Sequence, residues 1–190
     1  FDLKTGRPET VDWDEPEKVA RSIKIMNIKH AVITSVDRDD IKDMGSIIWY
    51  ETILAIRRMN PETTLETLIP DFQGVERNID RIIEANPEVV SHNMETVRRL
   101  TREVRIQAKY DRSLEVLRYL KEKGIRRTKS GIMLGLGETE EEVIQTMKDL
   151  RSVNVDIVTI GQYLQPSKKH LPVKEFITPD QFKKYEEIGK

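Results

Sequence analysis

The segment KSGIMLGLGETEEEV, residues 129–143, decides the fold of this chain. Residues 129–134 predict a short buried strand, and the glycines of residues 135–138 predict a tight turn after it. Thr139 and Glu142 have the spacing of a capping box, which predicts a helix with Val143, Met147 and Leu150 on its buried face. A second apolar strand is predicted over residues 156–163. Together these elements indicate one β-α-β unit of a parallel sheet.

The same alternation of strand and helix extends in both directions along the chain. Strands are predicted over residues 30–35, 64–69 and 89–92, and helices over residues 16–26, 46–59, about 75–83 and 113–123. Thr178, Pro179 and Gln181 predict the start of a last helix. The basic stretch of residues 98–112 interrupts the alternation as an insertion. Five units of this kind predict an α/β fold with right-handed crossovers.

Such units either close into a barrel or form an open doubly wound sheet, and the sequence favours the barrel. No Gly-x-Gly-x-x-Gly opens the first helix, as a dinucleotide-binding sheet would require. Polar residues instead follow every predicted strand, as at the mouth of a TIM-type barrel. The chain starts on a loop and a helix, so we expect the first strand of the barrel to be missing from it and interpret the chain as a fragment.

Composition restricts the class of protein. A chain of 190 residues with a formal net charge of -1 predicts a single domain over residues 1–190, with no general attraction to nucleic acid or to an anionic membrane. No apolar run is long enough for a membrane helix and no signal peptide is recognisable, so we expect a cytoplasmic enzyme. The chain has no cysteine, which excludes disulfides, thiol nucleophiles and thiolate-held clusters from its own residues.

The polar residues after the predicted strands are the candidate site, since they would converge on the barrel mouth. A mixture of carboxylates, amides and an arginine suits a zwitterionic ligand, whose ammonium needs acceptors and whose carboxylate needs a cation. Simpler roles stay open for several of them. Asp39 and Asp40 are also typical of a helix start, and Gly135 and Gly137 of an ordinary turn.

Several basic residues and histidines have alternative interpretations. Lys129, in a predicted barrel strand, is a candidate for anion binding or for a Schiff base. Lys4 and Arg7 are candidates for anion binding or for a solvated loop. The basic loop Lys168-Lys169-His170 is more typical of a solvated turn. His30 and His92 lack the spacing of metal ligands, so structural roles are expected for both.

Six strings resemble the lipoyl synthases, a family of radical S-adenosylmethionine (SAM) enzymes, in order along the whole chain. They are Lys4-Thr5-Gly6-Arg7-Pro8, Val32-Ile33-Thr34-Ser35-Val36-Asp37-Arg38-Asp39-Asp40, Leu68-Ile69-Pro70-Asp71-Phe72, His92-Asn93-Met94-Glu95-Thr96, the segment from Thr128 to Glu138, and Gly161-Gln162-Tyr163-Leu164-Gln165-Pro166-Ser167 with His170-Leu171-Pro172-Val173.

The resemblance implies a partial (β/α)6 barrel that inserts two sulfur atoms into an octanoyl chain. It implies SAM and two [4Fe-4S] clusters as cofactors, with one cluster consumed as the source of sulfur. It also implies a partner, the octanoylated lipoyl carrier protein or domain of the E2 or H-protein type. In such enzymes the cofactors perform the difficult chemistry, and the protein orients the reactants and excludes water.

The resemblance also implies which residues hold SAM. We expect Ser35 and Asp37 to accept from its ammonium, Glu95 to bind the ribose hydroxyls, and Lys129 or Arg38 to meet the carboxylate. The backbone near Leu164 is expected to meet the adenine. The complete set of expected SAM-binding residues is Thr34, Ser35, Asp37, Arg38, Asn93, Glu95, Lys129, Gly135, Gly137, Glu138, Gln162, Leu164 and Gln165.

The chain departs from the family at the cluster ligands. The family has a Cys-x-x-x-Cys-x-x-Cys loop directly before the Lys-Thr-Gly-Arg-Pro string, whereas here only Phe1, Asp2 and Leu3 precede it. The upstream cysteines of the second cluster and the C-terminal Arg-Ser-Ser-Tyr segment are missing too. No catalytic residue and no metal ligand is therefore identified, and we expect this chain alone to be inactive in sulfur insertion. A shortened chain, a sequence that omits cluster-bound cysteines, and a degenerate copy stay open as explanations.

Two other functions stay open at this stage. One is a non-catalytic barrel that binds SAM or a lipoyl carrier domain. The other is a barrel lyase or aldolase that uses Lys129 as a Schiff-base nucleophile, which needs no cysteine but explains none of the other strings.

Overall fold

The structure, a computed structural model, describes residues 9–105 and 109–190. Within these ranges the strands are β1 (His30–Thr34), β2 (Thr64–Leu68), β3 (Val89–Ser91), β4 (Arg127–Leu134) and β5 (Ile157–Gln162). The helices are α1 (Glu15–Ile25), α2 (Ser46–Met59), α3 (Glu76–Ala85), α4 (Thr101–Val104), α5 (Tyr110–Glu122), α6 (Glu140–Ser152) and α7 (Pro179–Gly189). Lys4 and Arg7 lie outside the described residues, as do Phe1 and Asp2.

The five strands form one parallel sheet in the order β1-β2-β3-β4-β5. Each strand pairs with the next one along the chain, so that Thr34, Leu68, Ser91, Lys129 and Ile157 lie at one level across the sheet. A doubly wound sheet would instead reverse its strand order at a switch point. The consecutive order is that of a (β/α) barrel, which confirms the predicted α/β barrel class.

Alternate residues of each strand pack against the helices. Ala31, Leu65 and Val90 join one apolar cluster with α1, α2 and α3, while Ile132 and Leu134 of β4 join a second cluster with α5, α6 and α7. The opposite, concave face is more polar and carries Glu66, Ser91, Lys129 and Thr159 among others. The helices therefore bury the back of the sheet and leave its concave face for a ligand.

The helix-start signals in the sequence are confirmed. Thr139 and Glu142 form both halves of a capping box at α6, and the Thr178 side chain accepts from the backbone of Gln181 at α7. The predicted helix over residues 113–123 is α5, which begins earlier, at Tyr110. Tyr110 is buried and donates to Asp149 of α6 (2.8 Å), so a tertiary contact sets this boundary.

The basic insertion has its own structure, which the sequence did not predict. It begins with a 3₁₀ turn over Arg98–Leu100 and continues into α4. No strand precedes α1 within residues 9–29, so the first strand expected from the sequence is not among the described residues. None of the helices in the described ranges is long and apolar enough to cross a membrane.

Candidate functional site

The carboxyl ends of all five strands lie along the same edge of the sheet, which we call the mouth. Because the strands are parallel and in consecutive order, the loops that follow them meet there. Every expected SAM-binding residue except Lys129 lies in or directly beside one of these loops, or at the last residues of a strand. Lys129 lies deeper, on the concave face of β4.

At the end of β1, Thr34 and Ser35 are fixed by contacts with neighbouring elements. The Thr34 hydroxyl donates to the carbonyl of Leu68 (3.2 Å), and the Ser35 hydroxyl accepts from the indole N–H of Trp49 in α2 (3.1 Å). Both residues are nevertheless exposed to solvent. Their oxygen atoms are therefore positioned at the mouth and accessible to a ligand.

Asp37 lies near other carboxylates at the mouth. Its side chain makes no hydrogen bond with any described residue, and partial desolvation in the mouth raises its pKa, with Asp39 and Asp71 adding to the effect and Arg105 opposing it. An extra positive charge near Asp37 would relieve this repulsion. Asp37 is thus suited to accept from an ammonium group.

Arg38 is already paired. Its guanidinium donates to both carboxylate oxygens of Asp40 (2.8 and 3.0 Å) and to the carbonyl of Glu9 (3.0 Å). Asp40 is therefore a partner of Arg38 and does not cap α2. The carboxylate that accepts from the first turn of α2 belongs to Asp43, which binds the backbone N–H of Ile47 (3.0 Å).

The backbone that follows β3 continues to form hydrogen bonds with β4. His92 donates its N–H to Lys129, and Glu95 donates its N–H to Gly131 (2.9 Å) while accepting from Met133 (2.8 Å). Glu95 has a positive φ of 65°, which is uncommon outside glycine, asparagine and aspartate. The side chains of Asn93 and Glu95 make no hydrogen bond with described residues, so both are available to a ligand.

Gly131 allows a close approach between β3 and β5. A β-carbon at this position would lie 2.9 Å from the Thr159 hydroxyl and 3.0 Å from the Asn93 side-chain oxygen. Any larger residue would push these two polar groups apart. Gly131 therefore helps to set the distance across the concave face just below the mouth.

The ends of β4 and β5 form a corner in which the expected SAM-binding residues are occupied by contacts within the protein. Glu138 accepts from the backbone of Gly135 (2.5 Å) and Leu136 (2.9 Å). Gln162 donates to the carbonyls of Leu134, Tyr163 and Glu175 and accepts from Ile177. The Lys174 side chain lies against Gly137. We call this set of contacts the β4–β5 corner.

Two expected residues follow the corner. Leu164 is 66% exposed, and the Gln165 amide donates to the carbonyl of His170 (2.8 Å). Leu164 is therefore accessible to a planar ligand, while Gln165 holds the loop that contains the basic triplet.

The sequence missed Glu66, which is the partner of Lys129. The Lys129 ammonium lies 2.9 and 3.2 Å from the two Glu66 carboxylate oxygens, and the Ser91 hydroxyl donates to the same carboxylate (2.7 Å). The Glu66 side chain is only 9% exposed. A charged residue at a concave position of the strand Thr-Leu-Glu-Thr-Leu was a signal for such a pair. The ion pair engages the nitrogen that a Schiff base would use.

Arg105 was also missed, because it lies in the basic insertion. Its guanidinium donates to the backbone carbonyl of Asn93 (2.9 Å). It forms no ion pair with a described carboxylate, although its charge acts on Asp37 and on His92. Of the three cations Arg38, Lys129 and Arg105, Arg105 is thus the one without a carboxylate partner in the described part of the chain.

His92 has the structural role that its isolated position indicated. It is buried on the helix side of the sheet, where one ring nitrogen contacts the carbonyl of Ile69 (3.0 Å) and the other the Ser113 hydroxyl (2.8 Å). Burial lowers its pKa to about 4, so the ring is neutral at physiological pH. His30 contacts the Thr64 hydroxyl (2.7 Å).

The residues at the mouth fit SAM and do not fit an iron-sulfur cluster. Accessible acceptors at Ser35, Asp37 and Glu95 suit an ammonium and hydroxyl groups, and Arg105 suits a carboxylate. An iron-sulfur cluster needs thiolate ligands, and the 190 residues contain no cysteine. The described residues also contain no group of three or more histidine, aspartate and glutamate side chains arranged for a metal ion.

A separate concavity lies behind β5, between α6 and α7. It has a volume of about 710 Å³ and is lined by apolar residues such as Met147, Val158 and Phe182. Charged residues such as Lys148 and Asp156 line it as well, but none of its lining residues belongs to the loops that follow the strands. We take the mouth, where polar groups from several strand ends converge, as the functional site.

Comparison with known proteins agrees with this geometry. The model of the Radical SAM superfamily matches residues 2–150. The chain is 90% identical to the lipoyl synthase of Flavobacterium psychrophilum and 84% identical to the mitochondrial lipoyl synthase of Nematostella vectensis, in each case over 99% of the chain and 65% of the relative. The chain therefore spans about 65% of the length of these relatives. The resemblance to lipoyl synthases inferred from the six strings is confirmed.

Solved structures share the fold at low sequence identity. HydG, a maturase of the [FeFe]-hydrogenase, matches 99% of the chain and 44% of its own with a TM-score of 0.74 at 15% identity. SuiB of Streptococcus suis bound to S-adenosylmethionine matches 96% of the chain and 41% of its own with a TM-score of 0.68 at 13% identity. From its barrel-type sheet and the match over residues 2–150, the chain belongs to the radical SAM superfamily.

Proposed function

We propose that the protein carrying this chain is a lipoyl synthase, which inserts two sulfur atoms into an octanoyl chain held on a lysine of a lipoyl carrier protein. The observation that carries the proposal is the 90% identity to a lipoyl synthase over 99% of the chain. The carrier is of the E2 or H-protein type, as the sequence resemblance implies. The mouth geometry supports the proposal because its accessible acceptors match a zwitterionic cofactor.

The residues of the mouth bind and orient SAM in this proposal. Ser35 and Asp37 accept from the ammonium, and Asn93 and Glu95 bind the ribose hydroxyls. The backbone around Leu164 contacts the adenine. When bound, SAM supplies the hydrogen-abstracting chemistry of the superfamily.

We assign the SAM carboxylate to Arg105, and this revises the expectation from the sequence. Lys129 is neutralised by Glu66 and Arg38 by Asp40, so either would have to break an existing ion pair. Arg105 already points its guanidinium at the carbonyl of Asn93, beside the proposed ribose site. A planar guanidinium also suits a carboxylate better than an ammonium does.

The β4–β5 corner has a supporting role in this proposal. Gly135, Gly137, Glu138 and Gln162 hold the adenine side of the mouth in shape through contacts within the protein. Thr34 acts in the same way at the end of β1. In this proposal fewer residues contact SAM than the sequence resemblance implied.

We also propose that the 190 residues alone do not insert sulfur. Two [4Fe-4S] clusters belong to the proposed activity, and the chain has no cysteine to hold either of them. Any such ligands must come from outside these residues. SAM binding requires no cysteine in this proposal and is expected of the chain alone.

One experiment on SAM binding tests the site. Equilibrium dialysis with labelled SAM should show binding to the chain that Arg105→Ala weakens at least about tenfold, the scale of one charge-assisted contact. Lys129→Ala should weaken it less. Arg126→Ala, an exposed change directly before β4 and so at the opposite end of the strands, serves as the control. Equal effects of Arg105→Ala and Lys129→Ala would contradict the assignment of the carboxylate.

A second experiment tests the activity. The full gene product is reconstituted with iron and sulfide under anaerobic conditions and incubated with SAM, a reductant and an octanoylated carrier domain. Mass spectrometry of the carrier should show the gain of two sulfur atoms. SAM binding by the gene product without any change in carrier mass would favour the non-catalytic barrel instead.

A further inference from the structure

Two segments beside the mouth concentrate positive charge. Residues 98–112 contain six basic and two acidic residues, and residues 164–177 contain three basic and one acidic, an excess of six positive charges in a chain of formal net charge -1. The first segment follows β3 and the second follows β5, so their described residues lie at the carboxyl ends of the strands. The edge of the mouth after β3 and after β5 is therefore basic, in contrast to the acidic loop after β1.

The two segments are joined by contacts around the turn after β4. Arg99 donates to the carbonyl of Gly137 (2.8 Å), and the Lys174 side chain lies against the same glycine. Two carboxylates beside this turn are already used, since Glu138 binds backbone N–H groups and Glu142 pairs with Arg99 (2.7 Å). These contacts bring the two basic segments side by side at the edge of the mouth.

We define this surface, the basic rim, by its exposed basic residues that form no ion pair within the described part of the chain. They are Arg102, Lys109, Lys168, Lys169 and Lys174.

The loop that presents part of the rim is held in place. The Tyr163 hydroxyl donates to the carbonyl of Leu171 (2.9 Å), Gln165 donates to His170 (2.8 Å), and Ser167 contacts the His170 ring (2.9 Å). Lys168 and Lys169 project from this loop into solvent. A surface that is already ordered loses less conformational entropy when a partner binds.

An exposed aromatic side chain accompanies the lysines. Phe176 is 70% exposed and lies two residues after Lys174. Exposed aromatic residues are enriched at protein-protein interfaces, where the ring can fill a pocket of the partner while charged residues surround it at the rim. Binding of free phosphate would give no role to this ring.

From these observations we propose that the basic rim is the docking surface for the carrier, and that it recognises an acidic protein face around the acylated lysine. This inference rests on the proposed function and names the chemistry of its partner. Opposite charges steer the carrier toward the mouth, and the Phe176 ring contributes apolar contact once it has docked.

The test compares charge reversal at the rim with the same reversal at the other end of the barrel. Lys168→Glu with Lys169→Glu alters the rim, and Lys29→Glu with Arg126→Glu alters exposed residues directly before β1 and β4 as the matched control. Binding of an octanoylated carrier domain to the full gene product is measured over a range of salt concentrations. Turnover of a short octanoyl-lysine peptide is measured in parallel, and equal melting temperatures confirm that each variant folds.

The rim variant should bind the carrier about tenfold more weakly at low salt, with the difference lost in high salt, while peptide turnover stays the same. Phe176→Ala should weaken carrier binding at every salt concentration. Equal weakening by the control pair, or carrier binding that ignores the rim reversal, would overturn the proposal. So would preferential binding of RNA over the acidic carrier at the rim. Failure of the unaltered protein to convert either substrate would instead count against the proposed function.

Discussion

The two sides of the mouth differ in how their polar groups are used. On the β4–β5 side, Glu138 and Gln162 direct their side-chain atoms to backbone groups of the protein. On the β1–β3 side, Asp37, Asn93 and Glu95 make no side-chain hydrogen bond with a described residue. Since an unused polar group beside a cavity has little structural purpose, the difference separates a framework from a binding surface. Polar residues at equivalent strand ends can thus have opposite roles.

The largest effect is expected from a substitution in the framework. Gly135 has a φ of 103°, and a methyl group there would clash with Gln162 and with the carbonyl of Glu175. Gly135→Ala should lower the free energy of unfolding by about 4 kcal/mol, from backbone strain and overpacking together. Chemical denaturation measures this loss.

Gly161→Ala is the matched control, because a β-carbon there would have open space around it. Its effect should stay within about 1 kcal/mol. If both changes were equally mild, the β4–β5 corner would not be the rigid half of the mouth.

The next largest effect depends on pH and concerns His92, which follows β3 and is buried on the helix side of the sheet. His92 has a folded-state pKa of about 4, below the ordinary 6.5, so the unfolded chain takes up the proton first as pH falls. Stability should therefore decrease between pH 6.5 and 4 by about 3 kcal/mol in total, with no contribution from this group above that range. Urea unfolding across this range should show that His92→Gln flattens the slope. An unchanged slope in the variant would contradict a buried neutral ring.

A smaller effect is expected from the ion pair on the concave face. Glu66→Ala leaves the Lys129 ammonium without its partner, and because Lys129 is one-quarter exposed we expect a loss of about 2 kcal/mol, below the range for fully buried pairs. Lys129→Met combined with Glu66→Ala should recover part of it. Additive losses in this double-mutant cycle would show that the two residues do not interact energetically.

The smallest effect on stability should come from a substitution of Asp37, on the β1–β3 side of the mouth. The raised pKa of Asp37 means that its negative charge is disfavoured in the folded protein, so Asp37→Asn should leave the unfolding free energy within about 0.5 kcal/mol or raise it slightly. The same change should weaken SAM binding in the dialysis experiment. A clear loss of stability would place Asp37 in the framework and remove the contrast between the two sides.

The sequence predicted the strands and helices better than it predicted which contacts the polar side chains make. Hydrophobic periodicity and the capping box at Thr139 depend on neighbouring residues, so strands and helices were found with small shifts at their ends. The early start of α5 at Tyr110 escaped prediction because it depends on Asp149, which lies far away along the chain.

The candidate site was predicted only as a set of strand ends. The pairing of Lys129 with Glu66 joins β4 to β2 across β3, which no local spacing reveals. Arg105 lies in an insertion whose structure has no periodic signal. The sequence therefore identified the mouth, while the roles of its cations depended on contacts between distant segments.

The path of the chain after β3 has a consequence for how the mouth tolerates change in length. Two residues lie between the N–H donors His92 and Glu95, but only one lies between their acceptors Lys129 and Gly131. One residue is therefore extra, as in a β-bulge. Removing it would bring the ladder back into regular step and would move Glu95 out of its left-handed conformation. The length of this stretch is therefore important in itself. Deleting one residue from it would change the geometry of the mouth even if all the ligand-binding side chains were kept.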